Sequence, residues 1–289
     1  MENKSAHNPF APKKSTQTRP VNPSKASFVD SHVHLDRIFA QNRERISWLR
    51  DAGCLVISWA FGDGIASVSD LKDYLYLKKD TIHRINKTGL PCFYLAGIHP
   101  RNVPPDLKPE TIKDILVPYL DDPLCLGIGE IGLENGSYQE KEVLSAQLGM
   151  THDVTGRDKV FGIHTPRENK VQITAETLTI IEQFPEYYNS IVVDHCTLET
   201  AGKVIAMGLW AGVTLSPIKT SSEELHQIIA ENPSHQDRIM LNTDSGNIFY
   251  EDLYRFYHSE DCPVDLRTKL VEDNALRFYR EAMERYEIG

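Results

Sequence analysis

Phe28-Val29-Asp30-Ser31-His32-Val33-His34-Leu35-Asp36 is the stretch from which the rest of the chain can be read. A short β-branched and aromatic run delivers two histidines at i and i+2, and an extended backbone turns side chains at that spacing to one face. Two imidazole nitrogens on one side of a strand end can begin a metal site. Paired histidines also occur by chance on half-exposed strands, so the reading depends on what the other strands bring to the same place.

Working outward, short apolar runs alternate with longer amphipathic ones. Strands are expected at 27–31, 55–60, 92–96, 125–128, 160–163, 191–194, 209–213 and 238–242, mostly as continuous apolar runs, the pattern of parallel strands covered on both faces. Helices are expected at 41–52, 70–88, 108–120, 138–153, 170–183, 198–207 and 221–231, with a terminal set over 249–286. Leu71, Leu75, Ile82 and Ile85 form a core-facing stripe amid Lys and Asp. Gly53 and Gly89 stand where helix C-caps belong, and Pro91, Pro123 and Pro104-Pro105 punctuate element ends. The polar segment 149–156 admits a local loop instead of helix. Strand then helix, eight times over and with no linker after residue 27, predicts an α/β protein with one (β/α)8 TIM barrel over 27–289.

Composition agrees. With 289 residues, 40% of them hydrophobic, the chain can bury a core the size of one barrel. No run reaches the roughly 18 apolar residues of a membrane span, and the N-terminus lacks the apolar core of a secretory signal. Cys54, Cys92, Cys125, Cys196 and Cys262 are odd in number and include no C-x-x-C pair, which fits reduced thiols and a cytoplasmic protein. Residues 1–26 are rich in Pro, Ser, Thr, Asn and Lys and are expected to be disordered; their basic, nearly acid-free composition also admits an organelle-targeting reading. That tail carries +4 of a net charge of −10, which leaves −14 on the remainder. So acidic a body disfavours nucleic-acid binding driven by the backbone charge alone. A monomer is the default expectation.

Catalytic groups of such barrels sit at the C-terminal ends of the strands. Here strand one ends at His32 and His34, strand three at His99, strand four at Glu130, strand five at His164, strand six at His195 and strand eight at Asp244. One histidine after an apolar strand is ordinarily a hydrogen-bonded boundary residue, and one carboxylate a helix cap. Six strand ends in register point to a cation at the barrel mouth. His83, His152, His226 and His258 fall in helical segments, His235 in a loop and His7 in the tail, so none is assigned chemistry.

His32-Val33-His34-Leu35-Asp36, Gly97-Ile98-His99-Pro100, Gly129-Glu130-Ile131-Gly132-Leu133, His164, His195 and Thr243-Asp244 together resemble the TatD family of metal-dependent hydrolases, within the amidohydrolase superfamily. The resemblance spans residues 30–246. It implies that His32 and His34 bind one metal, that His164 and His195 bind a second, that Glu130 bridges them, and that Asp244 completes the first site and holds or deprotonates a metal-activated water. It places His99 beside the substrate phosphate and makes Arg167 the nearest match to a basic residue after the fifth strand. Glu134 in Gly-Leu-Glu, Pro166 before Arg167 and His195-Cys196-Thr197 depart from the better-studied nucleases and look closer to a TatD-related branch of hydrolases.

Three functions follow as expectations. The first is a two-metal phosphodiesterase or deoxyribonuclease using Zn, Mn, Fe, Co or Mg. The second is a small-molecule ester, lactone or amide hydrolase, its pocket shaped by Trp59 and the Phe61-Gly62-Asp63-Gly64 loop. The third is a metal-bound scaffold without catalysis.

Overall fold

The computed structural model describes residues 26–260 and 262–287. The expectations of disorder and targeting for the tail concern residues outside this range, Ala26 excepted. Eight parallel strands run in sequential order: β1 (Phe28–Val33), β2 (Cys54–Ser58), β3 (Cys92–Ala96), β4 (Cys125–Gly132), β5 (Val160–His164), β6 (Ile191–Val193), β7 (Trp210–Thr214) and β8 (Ile239–Asn242). Every strand residue is buried, which is why the strands read as unbroken apolar runs.

The helices are α1 (Leu35–Gln41), α2 (Glu44–Asp51), α3 (Val68–Asn86), α4 (Ile112–Leu120), α5 (Tyr138–Leu148), α6 (Thr151–Thr155), α7 (Lys170–Ile181), α8 (Leu198–Ala206), α9 (Ser222–Glu231), α10 (Asp252–His258), α11 (Val264–Thr268) and α12 (Asn274–Glu287). The architecture is the expected TIM barrel, with local corrections. The helix expected over 41–52 is α2, and a further helix that was not expected, α1, precedes it directly after His34, so His34 is the pivot between strand and helix. The expected helix 138–153 breaks at Gly149-Met150 into α5 and α6, and the polar stretch that admitted a loop is helical as far as Thr155. In α3 the apolar stripe is buried as expected, and Lys78, lying between Leu75 and Ile82, is buried with it at 1% exposure.

The barrel closes between β1 and β8. Val33 bridges Ser245, the His34 N–H donates to the Ser245 carbonyl at 2.7 Å, and the Asp244 N–H donates to the His32 carbonyl at 2.9 Å. Side chains reinforce the seam: the buried Asp30 carboxylate accepts from the Thr243 N–H at 3.0 Å and its hydroxyl at 2.7 Å, and the Ser31 hydroxyl donates to the Leu241 carbonyl at 2.9 Å. Trp59 fills the centre. A Cβ on Gly162 would lie 2.6 Å from its ring, so only glycine lets the indole lie against β5. The five cysteines are buried thiols, and among the described residues no helix is long and apolar enough to cross a membrane.

Candidate metal centre

His32 is fully buried and stacks on Trp59, with ring centroids 4.1 Å apart and an angle of 12°. Its Nδ1 donates to the Asp194 carboxylate, which also accepts from Asn242 Nδ2 at 2.8 Å. That bond turns Nε2 towards the barrel mouth, 3.4 Å from Glu130 Oε2 and 3.7 Å from Asp244 Oδ1. His34 Nδ1 donates to the Trp59 carbonyl at 3.2 Å, leaving Nε2 3.0 Å from Asp244 Oδ1 and 3.9 Å from Glu130 Oε2. The other Glu130 oxygen faces a different group: Oε1 lies 2.7 Å from His164 Nδ1, 3.3 Å from His195 Nε2 and 3.5 Å from His99 Nε2. One carboxylate therefore divides its two oxygens between two ligand clusters.

The nitrogens facing away from Glu130 are nearly all engaged, which fixes the rings. Glu134 Oε2 lies 2.8 Å from His164 Nε2, and Arg101 holds Glu134 at 2.7 Å. His99 Nδ1 accepts the Arg101 backbone N–H at 3.0 Å, so in a neutral His99 the proton sits on Nε2 and that nitrogen is a donor. Lys78 Nζ donates to the Trp59 carbonyl at 2.8 Å, to Ser58 Oγ at 2.8 Å and to Asp36 Oδ1 at 2.9 Å, bracing the carbonyl that orients His34. Lys170 Nζ donates to the His195 carbonyl at 2.7 Å and to Thr165 Oγ1 at 2.8 Å. His195 and Asp244 have φ of +57° and +52°, a region that side-chain-bearing residues enter only when their surroundings hold them there.

The charge states are set by burial and by neighbours. Burial opposes a charged His32, but Glu130 and the Asp194 hydrogen bond outweigh it and push its pKa up to about 10. Burial pulls His99 down to about 4, and burial together with the Lys219 ammonium pulls His195 down to about 3. Burial would raise Glu130, yet His99 and His32 hold it well below the usual range; Asp244 is held down likewise by Lys219 and His34 against its burial. The result is two ionised carboxylates beside two imidazoles, His99 and His195, that burial keeps neutral, donors of the kind that a divalent cation takes. His32 Nε2 and Glu130 Oε2 are both buried without an aligned hydrogen-bond partner, a costly arrangement for protein alone. Three groups bring ligand atoms within 4.8 Å of one another: His32, His34 and Asp244; His32, Asp194 and His195; and His99, Glu130 and His164.

Of the site residues expected from the sequence, His34, His99, Glu130, His164, Arg167, His195 and Asp244 line one cavity of about 500 Å³, and of the pocket-shaping set Trp59 and Phe61-Gly62-Asp63-Gly64 only Phe61 does. His32, fully buried, lies behind the lining, 3.4 Å from Glu130 Oε2, and Arg167 is an exposed residue of the lining. His99 lies nearer the ligands than a purely substrate-side residue would, being grouped with Glu130 and His164. Asp194, Lys78, Arg101 and Lys219 go unassigned in the sequence, and Glu134 appears there only as a departure from the nuclease pattern. Asp194 had a signal, a carboxylate ending the apolar run Ile191-Val192-Val193 just before His195.

The family model for TatD related DNases matches residues 29–247. An uncharacterized metal-dependent hydrolase of Methanocaldococcus jannaschii is 27% identical over 206 residues, 69% of this chain and 78% of that protein. The crystal structure of a TatD-like protein from Archaeoglobus fulgidus superposes with a TM-score of 0.69 at 28% identity, covering 88% of this chain and all of that one. A 2,6-dihydroxybenzoate decarboxylase from Rhizobium gives a TM-score of 0.60 at 12% identity over 88% of this chain and 99% of that one, a likeness of fold alone.

Proposed function

Because the chain belongs to the TatD-related DNase family, and so to the metal-dependent hydrolases, we propose that it hydrolyses phosphoesters with two divalent cations. The observation that carries the reading is the division of Glu130, with Oε2 beside His32 and His34 and Oε1 beside His164 and His195. His32 Nε2, His34 Nε2, Asp244 and Glu130 Oε2 would hold one cation, and His164 Nδ1, His195 Nε2 and Glu130 Oε1 the other. Such a pair lowers the pKa of a coordinated water and offsets charge on the attacked and leaving oxygens.

The protein's own groups do the rest. Asp244, kept ionised, orients the attacking water and accepts its proton. His99, with Nδ1 committed to the Arg101 N–H, donates from Nε2 to a substrate oxygen. Arg167 on the rim pairs with substrate charge. Asp194 and Glu134 fix the rings of His32 and His164, so the ligand nitrogens are aimed before substrate arrives.

Two substrates suit this chemistry. A DNA phosphodiester follows from the family; a small phosphoester or carboxylic ester is favoured by the 500 Å³ cavity and by the acidic body, which carries no excess of cations to track a strand. The buried thiols support a reducing compartment such as the cytoplasm. The test is metal analysis followed by a screen of DNA, phosphodiesters, phosphomonoesters and lactones, with Asp244→Asn and Glu130→Ala as blanks. Two equivalents of metal and turnover lost in both variants are expected; equal turnover in wild type and both variants would overturn the proposal.

A further inference from the structure

Lys219 is the one ammonium that reaches into the ligand cluster among the described residues. Its side chain is 12% exposed. Nζ donates to Asp244 Oδ2 and lies 3.0 Å from His195 Nδ1. It stands on the β7–α9 connection, which folds back on itself: Thr220 N–H donates to the Thr214 carbonyl at 3.1 Å, Lys219 N–H to the Ser216 carbonyl at 3.2 Å, and Leu215 bridges Thr220. The turn presents the lysine inward.

That position conflicts with a cation on the same residues. An ammonium donating to His195 Nδ1 requires a lone pair there, so the ring proton sits on Nε2, the nitrogen that faces Glu130 Oε1 at 3.3 Å. If the ammonium leaves, Nδ1 can carry the proton and donate to Thr214 Oγ1, 2.8 Å away, and the Nε2 lone pair is freed. Asp244 is released by the same movement. Lys219 and a divalent cation therefore compete twice, for the carboxylate and for the tautomer of the imidazole. The lysine has somewhere to go, because it lines the cavity, as do Thr220, Ser216 and Arg167. An ammonium there, with its carboxylate taken, is a ready partner for an anion.

We propose that Lys219 is a displaceable internal cation that yields Asp244 and His195 to the metal and then binds the anionic group of the substrate in the cavity. This rests on the two-cation reading above. It makes two forecasts of opposite sign, which a structural lysine would not. In calorimetric titrations Lys219→Met should bind Mn²⁺ several-fold more tightly than wild type, because a competitor is gone, while metal-loaded Lys219→Met should bind inorganic phosphate about tenfold or more weakly, the scale of one hydrogen bond to a charged group. Lys219→Arg should recover phosphate binding. Lys219→Gln serves as a second variant, and circular dichroism checks that each is folded. Metal binding that is unchanged or weaker in the folded variants, or phosphate binding that is unchanged, would overturn the proposal while leaving the metal centre intact. A wild-type protein that takes up no Mn²⁺ would overturn both.

Discussion

Gly212, inside β7, is the slot that lets Asp194 reach His32. A Cβ at Gly212 would lie 2.8 Å from Asp194 Cγ and closer still to its Oδ1, and 3.2 Å from its Cα. Gly212→Ala therefore forces either strain or withdrawal of the carboxylate. Overpacking of a well-filled interior costs about 1–3 kcal/mol. Withdrawal loses the bonds to His32 Nδ1 and Asn242, each about 1.5–3 kcal/mol when a charge is involved. Overpacking thus gives about 2 kcal/mol and withdrawal about 3–6 kcal/mol, so the melting temperature falls by about 4 °C or more. Metal affinity should drop about 10- to 100-fold, the usual effect of losing the partner that orients a ligand histidine. The control is Gly202→Ala in α8, where a Cβ meets only Asn232 Oδ1 at 3.6 Å and the helix gains up to about 1 kcal/mol. Thermal denaturation and metal titration of both variants decide the matter. Gly212→Ala that loses more than about 3 kcal/mol, the mark of a withdrawn carboxylate, and still keeps wild-type metal affinity would refute the claim that Asp194 aims His32.

His32→Ala should lower metal content towards one equivalent per chain, measured by elemental analysis of folded protein. Lys78→Met removes three hydrogen bonds around the Trp59 carbonyl while keeping most of the buried volume; it should leave Asp36 a lone charge, cost about 3 kcal/mol in chemical denaturation and weaken metal binding through His34. Burial would raise the pKa of Asp122, but its partners Lys79 at 2.9 Å and His83 at 2.8 Å pull it below its usual value. A depressed folded-state pKa means stability present above about pH 4 and lost as pH falls through the folded value. Asp122→Asn should thus be less stable at neutral pH by about 1–3 kcal/mol and converge on wild type in acid, as read from urea midpoints across pH.

What could be read in the sequence and what could not divides along the range of the interactions. The strands, and the histidines and carboxylates at their ends, were legible because an apolar run followed by a polar residue is a local pattern that parallel barrels repeat. Lys78 stands between Leu75 and Ile82, where the helical period buries a side chain, but a lysine there carries no sign of the buried partners that accept its hydrogen bonds. The roles of Asp194 and Glu134 depend on contacts with residues 162 and 30 positions away, and no local pattern reports which nitrogen of a histidine they touch. The helix break at Gly149-Met150 and the left-handed backbone of His195 and Asp244 are likewise consequences of packing. Lys219 reads as one loop lysine among others until the turn that carries it is folded.

The seam between β1 and β8 joins residues 213 positions apart, so it is among the last contacts a growing chain can make. His32 and His34 stand on one side of it and Asp244 on the other. A fragment ending before β8 cannot assemble the first ligand group, however well its other strands pair. In the finished barrel, a metal held by both sides, as proposed, would act as a clasp over the joint. By mass action, each tenfold excess of metal over its dissociation constant adds about 1.4 kcal/mol against opening there. Hydrogen exchange in a chelator-treated sample should accelerate first along β1 and β8, with β4 and β5 the last to follow.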